Sequence, residues 1–121
     1  MADDEAAIKE VIESAYVQGL WVKRDPDLMR EGFAPNFVMQ IYSKGKHSST
    51  TLDEWLDRMK LDKVPNKKAI KADISVVSHE GDAAIARVEL YIDGKLTYTD
   101  FFGLYRADSW QIVTKHFHSH G

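Results

Sequence analysis

The chain of 121 residues has no cysteine, no excess of basic residues and no long apolar run. Without cysteine there are no disulfides, thiol nucleophiles or cysteine-based zinc sites. Its 16 Lys and Arg against 19 Asp and Glu give a net charge of -3, which argues against nucleic acid as a partner. No run approaches the roughly 20 apolar residues that span a bilayer, and the acidic start at Met1–Glu5 is unlike a secretory signal. We therefore expect a cytoplasmic protein that contacts neither nucleic acid nor membrane.

The remaining composition is that of an ordinary globular protein. Hydrophobic residues make up 44% and charged residues 29% of the chain, and no repeat or linker divides it. The length is typical of one compact unit. We predict a single domain over residues 1–121.

The first part of the chain predicts two helices. A helix over Asp3–Val22 is indicated by apolar residues at the three-and-four spacing of one face: Ile8, Val11, Ile12, Ala15, Tyr16, Gly19 and Leu20. Asp25 followed by Pro26 is a typical helix start, with Asp as the cap and Pro at the first position, and this second helix should end near Gly32.

The rest of the chain predicts one more helix and an antiparallel sheet. Thr51 and Glu54 form a capping box, which starts a helix carrying Trp55, Leu56 and Met59 on one side. Alternating or β-rich segments predict strands at Phe37–Tyr42, His47–Thr50, Ile70–Val76, Ala83–Ile92, Lys95–Arg106 and Trp110–His118. The fold class is therefore α+β.

The hairpin turns predict which side chains share a face of the sheet. A two-residue turn at Asp93–Gly94 would place Arg87 opposite Asp100, and the next turn would place Phe101 opposite Thr114. The face toward the helices would then carry Val88, Thr99, Phe101, Thr114, His116 and His118. The other face would carry Arg87 and Asp100 as a charge pair across the strands, together with Tyr91, Phe102, Leu104, Val113, Lys115 and Phe117. Because that second set contains large apolar groups, we predict a homodimer through it.

Two stretches of the chain resemble a known superfamily. They are YVQGLWVKRDPDLMREGFAPNF, from Tyr16 to Phe37, and YTDFFGLYRADSWQIVTKHFH, from Tyr98 to His118. Both are similar to the nuclear transport factor 2-like superfamily, and the second resembles its SnoaL-like, putative lumazine-binding branch. The resemblance implies a cone-shaped, curved antiparallel sheet packed against three N-terminal helices around a pocket. It implies a fold rather than a reaction, because many activities share this scaffold.

Ketosteroid isomerase, an enzyme of this superfamily, provides a test of one reaction. The resemblance places its catalytic tyrosine at Tyr16, its general-base aspartate near Ile41 and its second aspartate near Phe101. Two of these three positions are apolar here. The comparison therefore argues against isomerase chemistry.

The predicted pocket carries candidate catalytic and binding residues. His116 can take a proton near neutral pH, and Tyr16 can donate one, so these are the candidate catalytic residues. The candidate ligand-binding residues are Met39, Ile41, Trp55, Met59, Val88, Thr99, Phe101, Thr114 and His118. His116, His118 and His120 alternate along a strand in a manner that also suits metal binding. The alternative, which we favour, is that His116 and His118 are hydrogen-bonded residues at the pocket mouth and His120 lies in a frayed terminus. We therefore expect no metal and no cofactor.

Two functions follow as hypotheses. The first is a small-molecule-binding protein with an aromatic-lined pocket, which as an enzyme would catalyse proton transfer, hydration or dehydration without a cofactor. The second is a non-catalytic dimerisation or association module, since the ending WQIVTKHFHSHG also resembles the association domain of calcium/calmodulin-dependent kinases.

Overall fold

A computed structural model describes residues 2–121 of the protein, with side chains from Asp4 onward. The chain order is α1 (Ala2–Val11), a π-helical continuation of it (Ile12–Val22), α2 (Pro26–Gly32), β1 (Phe33–Ser43), β2 (Lys46–Thr51), α3 (Leu52–Met59), β3 (Ile70–Glu80), β4 (Ala83–Ile92), β5 (Lys95–Arg106) and β6 (Trp110–Ser119). The predicted order of elements is confirmed. Within the described chain, no helix is long and apolar enough to cross a membrane.

The helix boundaries follow from the local sequence. The Asp25 carboxylate accepts hydrogen bonds from the backbone N–H groups of Asp27 and Leu28 at the start of α2. Thr51 and Glu54 form the complete capping box at the start of α3. These side chains satisfy N–H groups that have no partner inside the helix, so both starts are set locally.

The strands form one curved, unclosed sheet that packs against the helices. Its order is β2-β1-β6-β5-β4-β3; β1 and β6 run parallel, and the other neighbours run antiparallel. The core lies between the helices and the concave face of this sheet, where Tyr16 packs edge-on against Phe102 at 4.9 Å between ring centroids. The predicted α+β cone is confirmed.

A β-bulge in β5 overturns the predicted pairing of Arg87 with Asp100. The Asp93–Gly94 turn has the predicted length, but Tyr91 pairs with Leu96 and Leu90 pairs with Tyr98, so Thr97 is an extra residue. Beyond this point Val88 lies opposite Asp100, and Arg87 lies opposite Phe101. Because side chains alternate along a strand, one extra residue reverses the faces of all residues that follow.

A shorter turn and a second bulge, in β6, together overturn the predicted pairing of Phe101 with Thr114: Trp110 pairs with Arg106, one residue later than that pairing requires. Leu104 pairs with Ile112 and Gly103 pairs with Thr114, which leaves Val113 as an extra residue. Asp100, Phe102, Leu104 and Lys115 consequently face the helices and are buried there, with Phe117 partly buried beside them. Five of the eight residues named for the outer face are thus on the inner face: Asp100, Phe102, Leu104, Lys115 and Phe117.

Candidate functional site

A cavity of about 120 Å³ lies between the helices and the concave face of the sheet. Its walls are mostly aromatic and apolar, with a tyrosine and a lysine among them: Tyr16, Leu20, Trp21, Met39, Trp55, Met59, Tyr98, Lys115 and Phe117. Met59 is 37% exposed and lies at the mouth. A mostly apolar cavity with a few polar groups is the usual form of a small-molecule site.

The π-helical segment presents Tyr16 and Trp21 to the same cavity. Its wider pitch is marked by the hydrogen bond from the backbone N–H of Lys23 to the carbonyl oxygen of Gln18, five residues earlier, at 2.7 Å. In a π-helix, residues five apart lie close together on one face, which they do not in an α-helix. The change of pitch therefore places a phenol and an indole in one wall.

Met39 on β1 and Lys115 on β6 line the sheet side of the cavity, and these two residues pair with each other. Asp100, on the neighbouring strand β5, is fully buried behind Tyr16 and Lys115 and is not itself a lining residue. The Tyr16 hydroxyl reaches down from the helix and donates a hydrogen bond to Oδ2 of Asp100 at 2.5 Å. Lys115 Nζ lies 3.5 Å from the other carboxyl oxygen, Oδ1. We call Tyr16, Asp100 and Lys115 the polar cluster.

The polar cluster is almost fully removed from water. The side chain of Asp100 is 0% exposed and that of Lys115 is 5% exposed. Around Lys115 Nζ lie the ring of Phe117, with its centroid at 4.0 Å, and the rings of Trp55 and Tyr16 at 5.5 and 5.6 Å. Among the described residues, Asp100 Oδ1 and Trp21 Nε1 are buried atoms without a hydrogen-bond partner. The cluster thus has unused hydrogen-bonding capacity.

Burial shifts the proton affinities of all three groups toward their neutral forms. Burial raises the pKa of Asp100, opposed by the nearby Lys115 and by the hydrogen bond from Tyr16. Burial lowers the pKa of Lys115, opposed by the charge of Asp100. Burial and then Asp100 raise the pKa of Tyr16 well above its usual value. Shifts in these directions bring the pKa values of the acid and the amine closer to the range in which side chains exchange protons with a ligand.

The structure brings together part of the predicted site. Tyr16, Met39, Trp55 and Met59 line the cavity. Val88 is a fully buried core residue, and Ile41 packs against the core in a partly buried position. Neither of these two is among the residues lining the cavity.

The prediction that His116 faces the cavity is wrong. Its ring is exposed and stacks on Phe101 at 5.4 Å between centroids, on the outer face of the sheet. The bulge at Val113 causes this, because it places Lys115 inward and both neighbours outward. His116 is therefore not part of this site.

The other predicted ligand-binding residues of β5 and β6 also leave the cavity. Thr99, Phe101, Thr114 and His118 follow the same reversed alternation and lie on the outer face. The Thr99 hydroxyl lies 2.8 Å from Nε2 of His120, and the rings of His118 and His120 are 4.8 Å apart. No three His, Asp or Glu residues of the described chain are grouped closely enough to hold a metal ion.

The comparison with the isomerase is corrected at one position. Tyr16, at the position of the isomerase's catalytic tyrosine, does contact an aspartate. This aspartate is Asp100, one residue before the apolar Phe101. On β1, Met39 faces the cavity and Ile41 is apolar, so that strand supplies no carboxylate base there. The sequence does place Asp100 and Lys115 next to aromatic residues, in YTDFF and TKHF. These two residues can be assigned to the inner face of the sheet only once the two bulges are known.

The fold and the pocket define a nuclear transport factor 2-like protein. The family model described as "Putative lumazine-binding" matches residues 3–118, so the chain belongs to this family. No curated protein matches the chain.

Solved structures show the same fold. A nuclear transport factor 2-like protein of unknown function from Methylobacillus flagellatus KT is 25% identical, with 100% of this chain and 95% of that chain covered and a TM-score of 0.79. One from Shewanella baltica OS155 is 25% identical over 96% and 93% of the two chains, with a TM-score of 0.76. A structure titled as a putative aromatic ring hydroxylase, from Novosphingobium aromaticivorans DSM, is 17% identical over 100% and 92%, with a TM-score of 0.75.

Proposed function

We propose that the protein binds a small, flat, largely apolar molecule in the aromatic cavity and transfers a proton to or from it through the polar cluster. The observation that carries this proposal is the buried contact of Asp100 with Tyr16 and Lys115, two residues that line a cavity bordered by the partly exposed Met59. Buried ionisable groups are costly to a fold, and when they line a cavity they mark a candidate functional site.

The size of the cavity limits the ligand. A cavity of about 150 Å³ holds a benzene molecule, so the 120 Å³ here suits a group of about one ring. A larger ligand, such as a two-ring pteridine of the kind named in the family description, would extend past Met59 at the mouth. The indole N–H of Trp21 lies beside the Tyr16 hydroxyl without a hydrogen bond of normal geometry, so it can donate to a carbonyl or ring nitrogen of the ligand.

The polar cluster supports proton transfer, hydration or dehydration without a cofactor. Asp100 is the candidate acid and Lys115 the candidate base, because burial favours the protonated carboxyl and the neutral amine. Tyr16 orients Asp100 by bonding to Oδ2, which leaves Oδ1 directed toward Lys115.

Calorimetric titration with benzyl alcohol and with lumazine tests binding at this site. The matched variants are Met59→Trp, which narrows the mouth, and Val64→Trp, which adds the same side chain at an exposed loop position outside the cavity lining. We expect binding to wild type and to Val64→Trp, and weakened binding to Met59→Trp. Equal affinity in both variants would place the ligand elsewhere, and no heat with either compound would contradict the proposal.

A second candidate function, self-association, is supported by the outer face of the sheet. Ile85 and Tyr105 are 52% and 60% exposed, and together with Val113 they line a shallow depression on that face. Such exposed apolar groups favour a homodimer, now through these residues in place of Phe102 and Leu104. Sedimentation should show a dimer for wild type and a monomer for Ile85→Lys. A monomeric wild type would contradict this candidate and leave the binding site unaffected.

A further inference from the structure

We propose that Lys115 is a nucleophilic amine that captures a small aldehyde or ketone as an imine, so that the ligand of the cavity is a carbonyl compound attached to a ring-sized apolar group. This inference rests on the proposed binding function and adds a substrate class to it.

The first argument is that the surroundings of Lys115 do not suit an ammonium ion. An ammonium group has three N–H donors. The polar atoms near Nζ are Asp100 Oδ1 at 3.5 Å and Met39 Sδ at 3.6 Å, and neither distance is that of a strong hydrogen bond to a charged group. The remaining neighbours described for Nζ are aromatic rings.

The surroundings of Lys115 favour a larger neutral fraction of its amine than water does. Contacts with ring faces stabilise a cation by less than its removal from water costs. Burial accordingly lowers the pKa of Lys115, opposed by the neighbouring Asp100. A neutral lysine amine is a nucleophile toward carbonyl carbon.

The second argument is access. Lys115 is one of the residues lining the cavity and its side chain is 5% exposed, so a ligand that enters between Met59 and the aromatic walls meets this side chain away from bulk water. An exposed lysine such as Lys71 lacks this enclosure. The aromatic walls would hold the ring of the ligand and direct its carbonyl group to Lys115.

The third argument is that the proton donor for the reaction is present. Lys115 nitrogen adds to the carbonyl carbon, and the proton lost by nitrogen goes to the carbonyl oxygen, giving a carbinolamine. Asp100 then donates its proton to that hydroxyl group, the C–O bond breaks, and water leaves. The products are a protonated imine on Lys115 and the Asp100 carboxylate beside it, with Tyr16 holding the carboxyl through Oδ2.

Reductive trapping tests the inference on the intact protein. Wild type is incubated at neutral pH with a low concentration of benzaldehyde and sodium cyanoborohydride, which converts an imine to a stable benzyl-lysine, and the modified lysine is located by peptide mass spectrometry. We expect Lys115 to be labelled faster than Lys71, because a lowered pKa raises the fraction of the amine that is neutral and nucleophilic. Labelling that begins at the exposed lysines and leaves Lys115 unmodified would overturn the inference.

Variants separate the inference from the proposed function. Lys115→Met should lose the fast label, Lys71→Met should keep it, and Asp100→Asn should slow it because the proton donor is removed. A fast label at Lys115 with an unchanged rate in Asp100→Asn would overturn the assigned role of Asp100. Benzyl alcohol, which cannot form an imine, is titrated in parallel. Binding of the alcohol without any trapping at Lys115 would refute imine capture and leave the binding function standing, whereas absence of both would refute both.

Discussion

Replacing Tyr16 by Phe removes one oxygen atom and tests whether the polar cluster exists as described. The lost hydroxyl donates the 2.5 Å hydrogen bond to Asp100, whose other oxygen already lies 3.5 Å from its nearest polar partner. A hydrogen bond to a charged group contributes about 1.5–3 kcal/mol to stability, and leaving a buried acceptor without its donor increases the loss of stability. We therefore expect the free energy of unfolding to fall by about 2–3 kcal/mol, with a Tm lower by roughly 6–18 °C for a chain of this size.

The pH dependence of this variant follows from the same contact. Because the folded-state pKa of Asp100 lies above the ordinary value of 3.8, the folded protein holds a proton that the unfolded chain loses. Stability therefore falls as the pH rises from 3.8 through the folded-state pKa of Asp100. Tyr16 stabilises the carboxylate, so in Tyr16→Phe the pKa of Asp100 rises further and this loss with pH becomes larger by about 1.4 kcal/mol for each added unit.

Urea unfolding of four variants at several pH values measures these effects. Tyr98→Phe is the matched control, because Tyr98 lines the same cavity but is only partly buried, and it should change stability by less than about 0.5 kcal/mol. In an Asp100→Leu background, Tyr16→Phe should be neutral or stabilising, since the hydroxyl then has no acceptor. A loss of about 2–3 kcal/mol that persists in the Asp100→Leu background would refute the contact. A Tyr16→Phe variant as stable as wild type would also refute it.

Three further substitutions have defined outcomes in thermal unfolding. Lys115→Met should be at least as stable as wild type at neutral pH. It should also lack the rise in stability that wild type shows as the pH increases toward 10.5, because the folded-state pKa of Lys115 lies below that value. A less stable variant would mean that the amine stabilises the fold as a charged partner of Asp100. Gly32→Ala should cost about 1–3 kcal/mol, since a Cβ there would lie 2.4 Å from Cβ of Ala15, and a neutral result would contradict the close helix contact. Thr51→Ala should cost about 1 kcal/mol through loss of the capping box, and no change would show that Thr51 does not cap α3.

The hairpin of β4 and β5 shows how much of the strand register could be predicted from its turn. The Asp93–Gly94 turn was predicted with the right length, and Ile92 pairs with Lys95 as expected. Side chains of β4 therefore lie on their predicted faces. The predicted pairing of β4 with β5 is wrong only beyond Thr97. The bulge at Thr97 is not marked by a glycine or proline, and the alternation of side chains continues on both sides of it.

The sequence by itself determined the helix starts, the strand order along the chain and the fold, because these depend on caps, turns and periodicity that act over a few residues. Tyr16 was also placed correctly, as part of an inward helical stripe. The tertiary structure alone decided the site. Asp100 and Lys115 come into contact only because two separate bulges turn both inward, beneath a helix whose pitch widens above them. Two ionisable residues occupy such a buried position only where parts of the chain that are distant in sequence enclose them, and no local sequence pattern indicates that enclosure.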